Sequence, residues 1–282
     1  MKKIILGLVV LLLLFSCGNK KSKMDPFEPL TGLIDSITTE EDSVPVVVKE
    51  DKSQFSKADE SFDDFIYSFA SDEETQRKRI LFPLPFYNKN TTSKIEEKYW
   101  KQDVLFTRQE YYTLLFDRET EMDISKDTSL NSVQFEWIYM RTRMVKKYYF
   151  QRSKGVWRLE AINLHPLGKN ENENFIDFFY KFATDSVFQS ERVRKPLAFV
   201  TTDPDDDFAI LETTLELNQW QAFMPTLPKD KLSNINYGQR HSDDSTTKIL
   251  ALKGIGNGFS NTLYFQRTNG EWELTKFEDL SN

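Results

Sequence analysis

Residues 62–86, FDDFIYSFASDEETQRKRILFPLPF, return as residues 175–199, FIDFFYKFATDSVFQSERVRKPLAF, aligned without a gap. The two stretches share Phe62/Phe175, Asp64/Asp177, Phe65/Phe178, Tyr67/Tyr180, Phe69/Phe182 and Ala70/Ala183. Asp72/Asp185, Gln76/Gln189, Arg79/Arg192 and Pro83/Pro196 continue the match. A second pairing sets YFQRSKGVWRL (149–159) beside YFQRTNGEWEL (264–274). Two matching blocks at nearly equal offsets indicate one module of about 110 residues written twice. The expected modules cover 58–168 and 169–282.

Each module opens with helices and closes with strands. Phe62, Phe65, Ile66 and Phe69 have the spacing of one buried helical face, and Phe175, Phe178, Phe179 and Phe182 reproduce it. Ser71-Asp72 and Thr184-Asp185 then supply caps for a second short helix, with Glu74 placed for a capping box on Ser71. Pro83 and Pro196 stop it. One more short helix is expected over Thr107–Asp117 and another over Leu217–Met224. Downstream, Val133, Phe135, Trp137 and Tyr139 alternate with Gln134, Glu136, Ile138 and Met140, the period of a strand. Ser153-Lys154-Gly155 and Thr268-Asn269-Gly270 mark equivalent hairpin turns. Helices leading a run of antiparallel strands predict an α+β fold, with helices packed on one face of a curved sheet.

The N-terminus carries an address. Lys2 and Lys3 precede the apolar stretch Ile4–Phe15, which is shorter than the roughly 20 residues of a membrane-spanning helix. It ends in Leu14-Phe15-Ser16-Cys17, a small residue before a cysteine, as at a bacterial lipobox. We read 1–17 as a lipoprotein signal with Cys17 as the lipid attachment, and 18–57, rich in Lys, Ser, Asp, Glu and Thr, as a disordered tether. Cys17 is the only cysteine, so the folded part holds neither a disulfide nor a thiolate metal site. The whole chain has a formal charge of −7, and removing 1–16 takes away two lysines more. Such an acidic protein is a poor partner for nucleic acid or anionic headgroups, so membrane contact is expected through the lipid anchor alone. The expected location is the cell envelope, on the outer membrane facing the periplasm.

The order of elements, the lipobox, the acidic tether, the F-x-x-F-x-Y-x-F-A helix at 62–70 and the PL-x-F segment at 83–86 together resemble a known group. It is an uncharacterised family of Bacteroides-type lipoproteins with the nuclear transport factor 2-like (cystatin-like) fold. The resemblance covers residues 58–282. It implies two tandem cones, each a bent sheet wrapped around its N-terminal helix, paired internally as a pseudo-dimer within a monomer. It brings no catalytic residues with it.

Few residues suggest chemistry. His165 and His241 lack a His or Cys partner at metal-ligand spacing and read as surface or turn histidines, so no metal, cofactor or His-based catalysis is assigned. Asp64 with Tyr67, and Asp177 with Tyr180, lie opposite the Phe stripe as either an acid–base pair or a contact face. Asp203, Asp205 and Asp207 begin like a calcium loop, but Phe208 replaces the turn glycine and Thr214 the bidentate Glu. The ligand-binding candidates are Phe135, Trp137, Tyr139, Arg141 and Arg143, which share one side of a strand that runs that far. Rings stack on flat ligands and arginine clamps carboxylate or phosphate, although alternating aromatics also make core.

Three functions stay open. The first is a non-catalytic envelope lipoprotein, a binding or scaffold module for a small molecule or an envelope partner, with an apolar cavity expected in the first cone. The second is an enzyme (hydrolase, isomerase or dehydratase) with an Asp/Tyr acid–base site in one cone. The third is an assembly protein docking another envelope component through its sheet.

Overall fold

The computed structural model describes residues 61–106 and 111–282. The expected signal with Cys17 and the tether over 18–57 lie outside the described residues. The first half of the chain holds helices α1 (Phe62–Ser71) and α2 (Glu73–Lys78). Its strands are β1 (Leu84–Asn88), β2 (Thr91–Ile95), β3 (Tyr111–Phe116), β4 (Ser132–Tyr139), β5 (Met144–Ser153) and β6 (Val156–Pro166). The second half holds α3 (Glu173–Thr184), α4 (Ser186–Glu191) and α5 (Leu217–Phe223). Its strands are β7 (Val193–Asp203), β8 (Asp206–Leu215), β9 (Lys231–Asn236), β10 (Thr247–Gly254), β11 (Ser260–Thr268) and β12 (Glu271–Asp279).

Local chemistry explains the helix starts. Ser61 caps α1 by accepting the Asp64 amide at 3.1 Å. The capping box expected on Ser71 does not form. Asp72 caps α2 instead, accepting the Thr75 amide at 2.7 Å, while the Ser71 hydroxyl donates back to the Tyr67 carbonyl. Asp185 and Thr184 repeat this division of labour in the second half. A carboxylate answers both the orphan amides and the positive end of a helix, which a hydroxyl does not. The helix expected over Thr107–Asp117 is also corrected: its described part, Tyr111–Phe116, is β3. That aromatic and aliphatic run fills a central strand position, paired with β10 along its length.

Among the described residues the strands form one 12-stranded sheet in the order β2-β1-β6-β5-β4-β9-β3-β10-β11-β12-β7-β8. Read from either end, each strand meets its counterpart in the other half, with one exchange. β9, from the second half, pairs with β4, and β3, from the first, pairs with β10. The halves meet where β3 and β9 run parallel, Thr113 beside Asn234. A parallel central pair relates the halves by a turn about the strand direction, which also turns the sheet over. Following the registers from Phe150 through Val133, Ile235 and Thr113 to Leu252 and Phe265 places Phe150 and Phe265 on opposite faces. α1 and α3 therefore lie on opposite faces of the joined sheet, each on one face of the strands it covers.

α1 and α3 each pack around one central ring of the sheet. Phe62, Phe65 and Phe69 of α1 set their rings 5.4, 5.6 and 5.2 Å from Phe150. Phe175, Phe178, Phe179 and Phe182 of α3 stand 5.2, 5.6, 6.2 and 5.4 Å from Phe265. A β-bulge precedes each central ring, at Tyr149/Phe150 and at Tyr264/Phe265. The apolar cavity expected in the first half is filled by these side chains: among the described residues Phe62, Phe65, Phe69, Phe135, Phe150 and Trp157 are each 5% exposed or less.

Candidate functional site

The aromatic face singled out in the sequence is divided by the fold. Phe135 and Trp137 are buried, with Phe135 packed against Phe106, Trp137 and Tyr148 at 5.9, 5.5 and 5.9 Å. β4 ends at Tyr139, which already pairs with Met144, so the strand alternation never reaches Arg141 and Arg143. Both arginines sit in the tight turn, exposed, and Arg143 has a left-handed backbone (φ 53°). Its guanidinium pairs with Glu173 and lies 3.3 Å from Asp177. The cations beside Trp137 are lysines instead. Lys231 of β9 places Nζ 3.4 Å from the centroid of the Trp137 ring. Lys146 donates to Asp103 at 2.9 Å, and the Tyr148 hydroxyl donates to the same carboxylate oxygen. Burial lowers the pKa of Lys231, with the charge of Lys146 adding and Asp103 opposing.

The other sequence candidates also move. Asp64 bonds locally to Ser61, and Tyr67 is exposed, so they form no pair. The neighbouring Asp63 is the acid that meets tyrosines: Tyr112 donates to it at 3.4 Å, and Tyr237 donates to its other oxygen. Burial pushes the Asp63 carboxyl up, against the two hydroxyls that lower it. His241, expected on the surface, has a side chain only 8% exposed, with Nδ1 3.4 Å from Asp117. Asp117 also accepts from the Ser242 amide at 2.8 Å and from the buried Lys248. His165 lies 3.4 Å from Glu171. Asp203 and Asp206 bracket the turn of the β7–β8 hairpin, where Asp203 accepts the Asp205 amide.

A feature with room for a ligand lies at the corner where α3 turns into α4. In the first half, Gln76 points back from α2, donates to the Phe69 carbonyl at 3.0 Å, and so fixes the corner. Gln189 of α4 does the same to Phe182 at 2.9 Å. Both glutamines are buried. Beside Gln189 the chain after β8 forms α5 and then the segment 224–229, which stands away from the corner. Between them is a cleft of about 520 Å³, lined by Ala183, Gln189, Gln221, Met224, Thr226 and Lys229 among others. That volume falls within the range of small-ligand sites, roughly 300–1,000 Å³. Gln221 holds the far wall by donating to Ser190 at 3.3 Å, and Tyr111 of β3 anchors it through the Thr226 carbonyl at 2.9 Å.

The model of a family described as a domain of unknown function, DUF4348, matches residues 40–279. The chain is also similar to the crystal structure of an NTF2-like protein from Bacteroides fragilis, at 69% identity and a TM-score of 0.77. That likeness covers 80% of this chain and 98% of the other. It has the same α+β character, a large curved sheet with few helices. No curated protein matches the chain.

Proposed function

Because this chain belongs to the DUF4348 family, a domain of unknown function with an NTF2-like relative, we propose its role from the site: a non-catalytic binding module of the cell envelope. The observation that carries it is the cleft beside Gln189, walled by two elements that each have their own anchor. The protein is a lipoprotein held by lipid on Cys17 at the periplasmic side of the outer membrane, a reading supported by the Leu14–Cys17 motif. It is a doubled module, two cones paired as an internal pseudo-dimer; the matching strand order and the two helix-on-sheet packings support this.

The test uses the full chain, which its lipid should bring down with membranes; recovery as a soluble protein would remove the anchor. In detergent, a small-molecule fragment screen read by amide NMR is expected to shift resonances around Gln189 and Thr226. Ser186→Trp, at the exposed start of α4 on the cleft wall, should abolish those shifts while leaving the melting temperature in place. Fragments that cluster elsewhere, or shifts that survive Ser186→Trp, would end the assignment of binding to this cleft.

A second reading, an acid–base enzyme, is favoured by Asp63 with Tyr112 and Tyr237. The hollow next to it measures about 90 Å³ and is lined by Ser61, Phe62 and Tyr237 rather than by Asp63. A structural role makes its own prediction. A carboxyl held above its ordinary 3.8 binds its proton more tightly folded than unfolded, so the native protein loses stability as the pH rises through the raised value. Asp63→Asn is therefore expected to be as stable as the native chain below that value and at least as stable at pH 7, by denaturant titration. Loss of a hydrolase, isomerase or dehydratase activity in this stable variant would establish the enzyme instead. A docking role finds its surface at the edge strand β8, where Ile210 and Leu211 are 54% and 40% exposed. Envelope proteins that co-purify with the native chain and not with an Ile210→Lys variant would support it, and retention by both would count against it.

A further inference from the structure

The first half of the chain already contains an occupant for the corner that stands open in the second. Next to Gln76, residues 97–103 (EKYWKQD) run across the α1–α2 corner. The Gln76 amide carbonyl accepts from the Trp100 indole at 2.9 Å and from the Asp103 backbone amide at 2.8 Å. Its amide nitrogen donates to the Asp103 carbonyl at 3.1 Å. One side chain thus reads both hydrogen-bonding groups of a single backbone residue and the ring of another. Gln102 returns a bond to the Ala70 carbonyl at 3.1 Å, and Arg77 holds the carbonyls of Glu97 and Trp100, each at 2.8 Å. Trp100 is left 6% exposed.

In the second half the receiving wall is kept. Phe182, Ala183 and Gln189 stand where Phe69, Ala70 and Gln76 stand, and Gln189 has the same bond to the helix end. The bonds that Gln76 receives are missing: Trp220, which follows β8 as Trp100 follows β2, is buried with its ring 5.3 Å from Phe277, and its indole nitrogen bonds nothing among the described residues. The chain that would lie across the corner is coiled into α5, and the carbonyl of Gln189 accepts nothing among the described residues. Ser190 replaces Arg77, so the second clamp is gone, and Lys229 on the rim brings a cation in its place. A buried amide equivalent to one that holds a backbone, beside a cleft of about 520 Å³, is matched by peptide more closely than by a sugar or a free anion.

We infer that this cleft takes an extended peptide segment bearing an aromatic residue, held through its backbone by Gln189 as Gln76 holds Trp100 and Asp103. The inference rests on the cleft being the binding site and names its occupant. An acidic residue after the ring suits Lys229, as Asp103 suits Lys146 in the first half.

The probe is the chain's own segment, the fluorescently labelled heptapeptide EKYWKQD, added to the full-length protein in detergent and read by anisotropy. Saturable binding is expected. The peptide EKYAKQD, without the ring, should bind at least tenfold more weakly, as should the native peptide to Gln189→Ala. Because Gln189→Ala also removes a bond inside the helix corner, Ser186→Trp serves as the fold-neutral block and should abolish binding. The inference is overturned by no binding at about 1 mM peptide, the weakest affinity of interest. It is equally overturned by EKYAKQD binding within twofold of the native peptide, or by undiminished binding to Ser186→Trp. If fragments still shift the cleft in the native protein while the peptide is inert, the occupant is wrong and the binding site stands; if Ser186→Trp changes neither, both fall.

Discussion

Phe265→Ala is expected to destabilise the protein by about 3–5 kcal/mol, as large-to-small changes at fully packed phenylalanines do. Phe265 is 2% exposed and meets the rings of Phe175, Phe178, Phe179 and Phe182, so one truncation loosens four aromatic contacts that seat α3, leaving those of Phe175 and Phe178 with Trp272. Three of these four pairs are edge-on or steeply tilted within 5.6 Å, the arrangement worth about 0.5–1.5 kcal/mol beyond area burial. The sheet cannot collapse into the void, because Phe265 sits just after a bulge and its strand is paired on both sides. Phe265→Leu, which keeps most of the volume, should cost clearly less. Urea denaturation measures both; a loss below about 1 kcal/mol for the alanine variant would mean that α3 is seated by something other than this ring cluster.

Asp117→Ala is expected to cost a similar amount, about 3–5 kcal/mol, by a different route. The side chains of Lys248 and Asp117 are 2% and 8% exposed, and the lysine is satisfied by Asp117, Asn172 and the Ser242 carbonyl. Burial alone would push the Asp117 carboxyl up, yet hydrogen bonds from His241, Lys248 and the Ser242 amide, with the lysine's charge, hold it below its ordinary value. Its contribution is therefore present above pH 3.8 and lost as the pH falls through the depressed folded value. Burial already lowers the pKa of Lys248, with Asp117 opposing. Without Asp117 the ammonium is stranded, so the variant's deficit should be greatest between the two titrations: it shrinks in acid, where the native Asp117 is itself protonated, and again in alkali as the lysine sheds its proton. Asp117→Leu combined with Lys248→Met should recover most of the loss. A deficit that is independent of pH and not rescued in the double variant would show that the pair does not matter in this way.

The helices and the final hairpins could be read from residue patterns because their determinants are local. The Phe62–Phe69 stripe, the Gly155 and Gly270 turns and the Leu217–Met224 helix need only neighbours in sequence. The exchange of β3 and β9 could not be read, since nothing in YYTLLF or KLSNIN states which half of the sheet each will join. That gap propagated to the site: Lys231, the cation over Trp137, arrives on the exchanged strand. Arg141 and Arg143 were misplaced because alternation carries no information about where a strand ends. His241 was misjudged because a side chain on an exposed loop can be covered when another strand end, here Asp117, closes over it. The cleft left one trace in the sequence, the shared Gln76/Gln189, which helical periodicity alone cannot tell from an ordinary surface glutamine.

The traded third strands turn the covalent join between the halves into a determinant of solution behaviour. β4 finds β9 at an effective concentration set by tether length, not by how much protein is present. Proteolytic scission near residues 168–172 would convert that first-order encounter into a second-order one, and each fragment would expose an unpaired strand edge at β4 or β10. For the intact chain dilution is harmless; for the nicked one it would act as a denaturant.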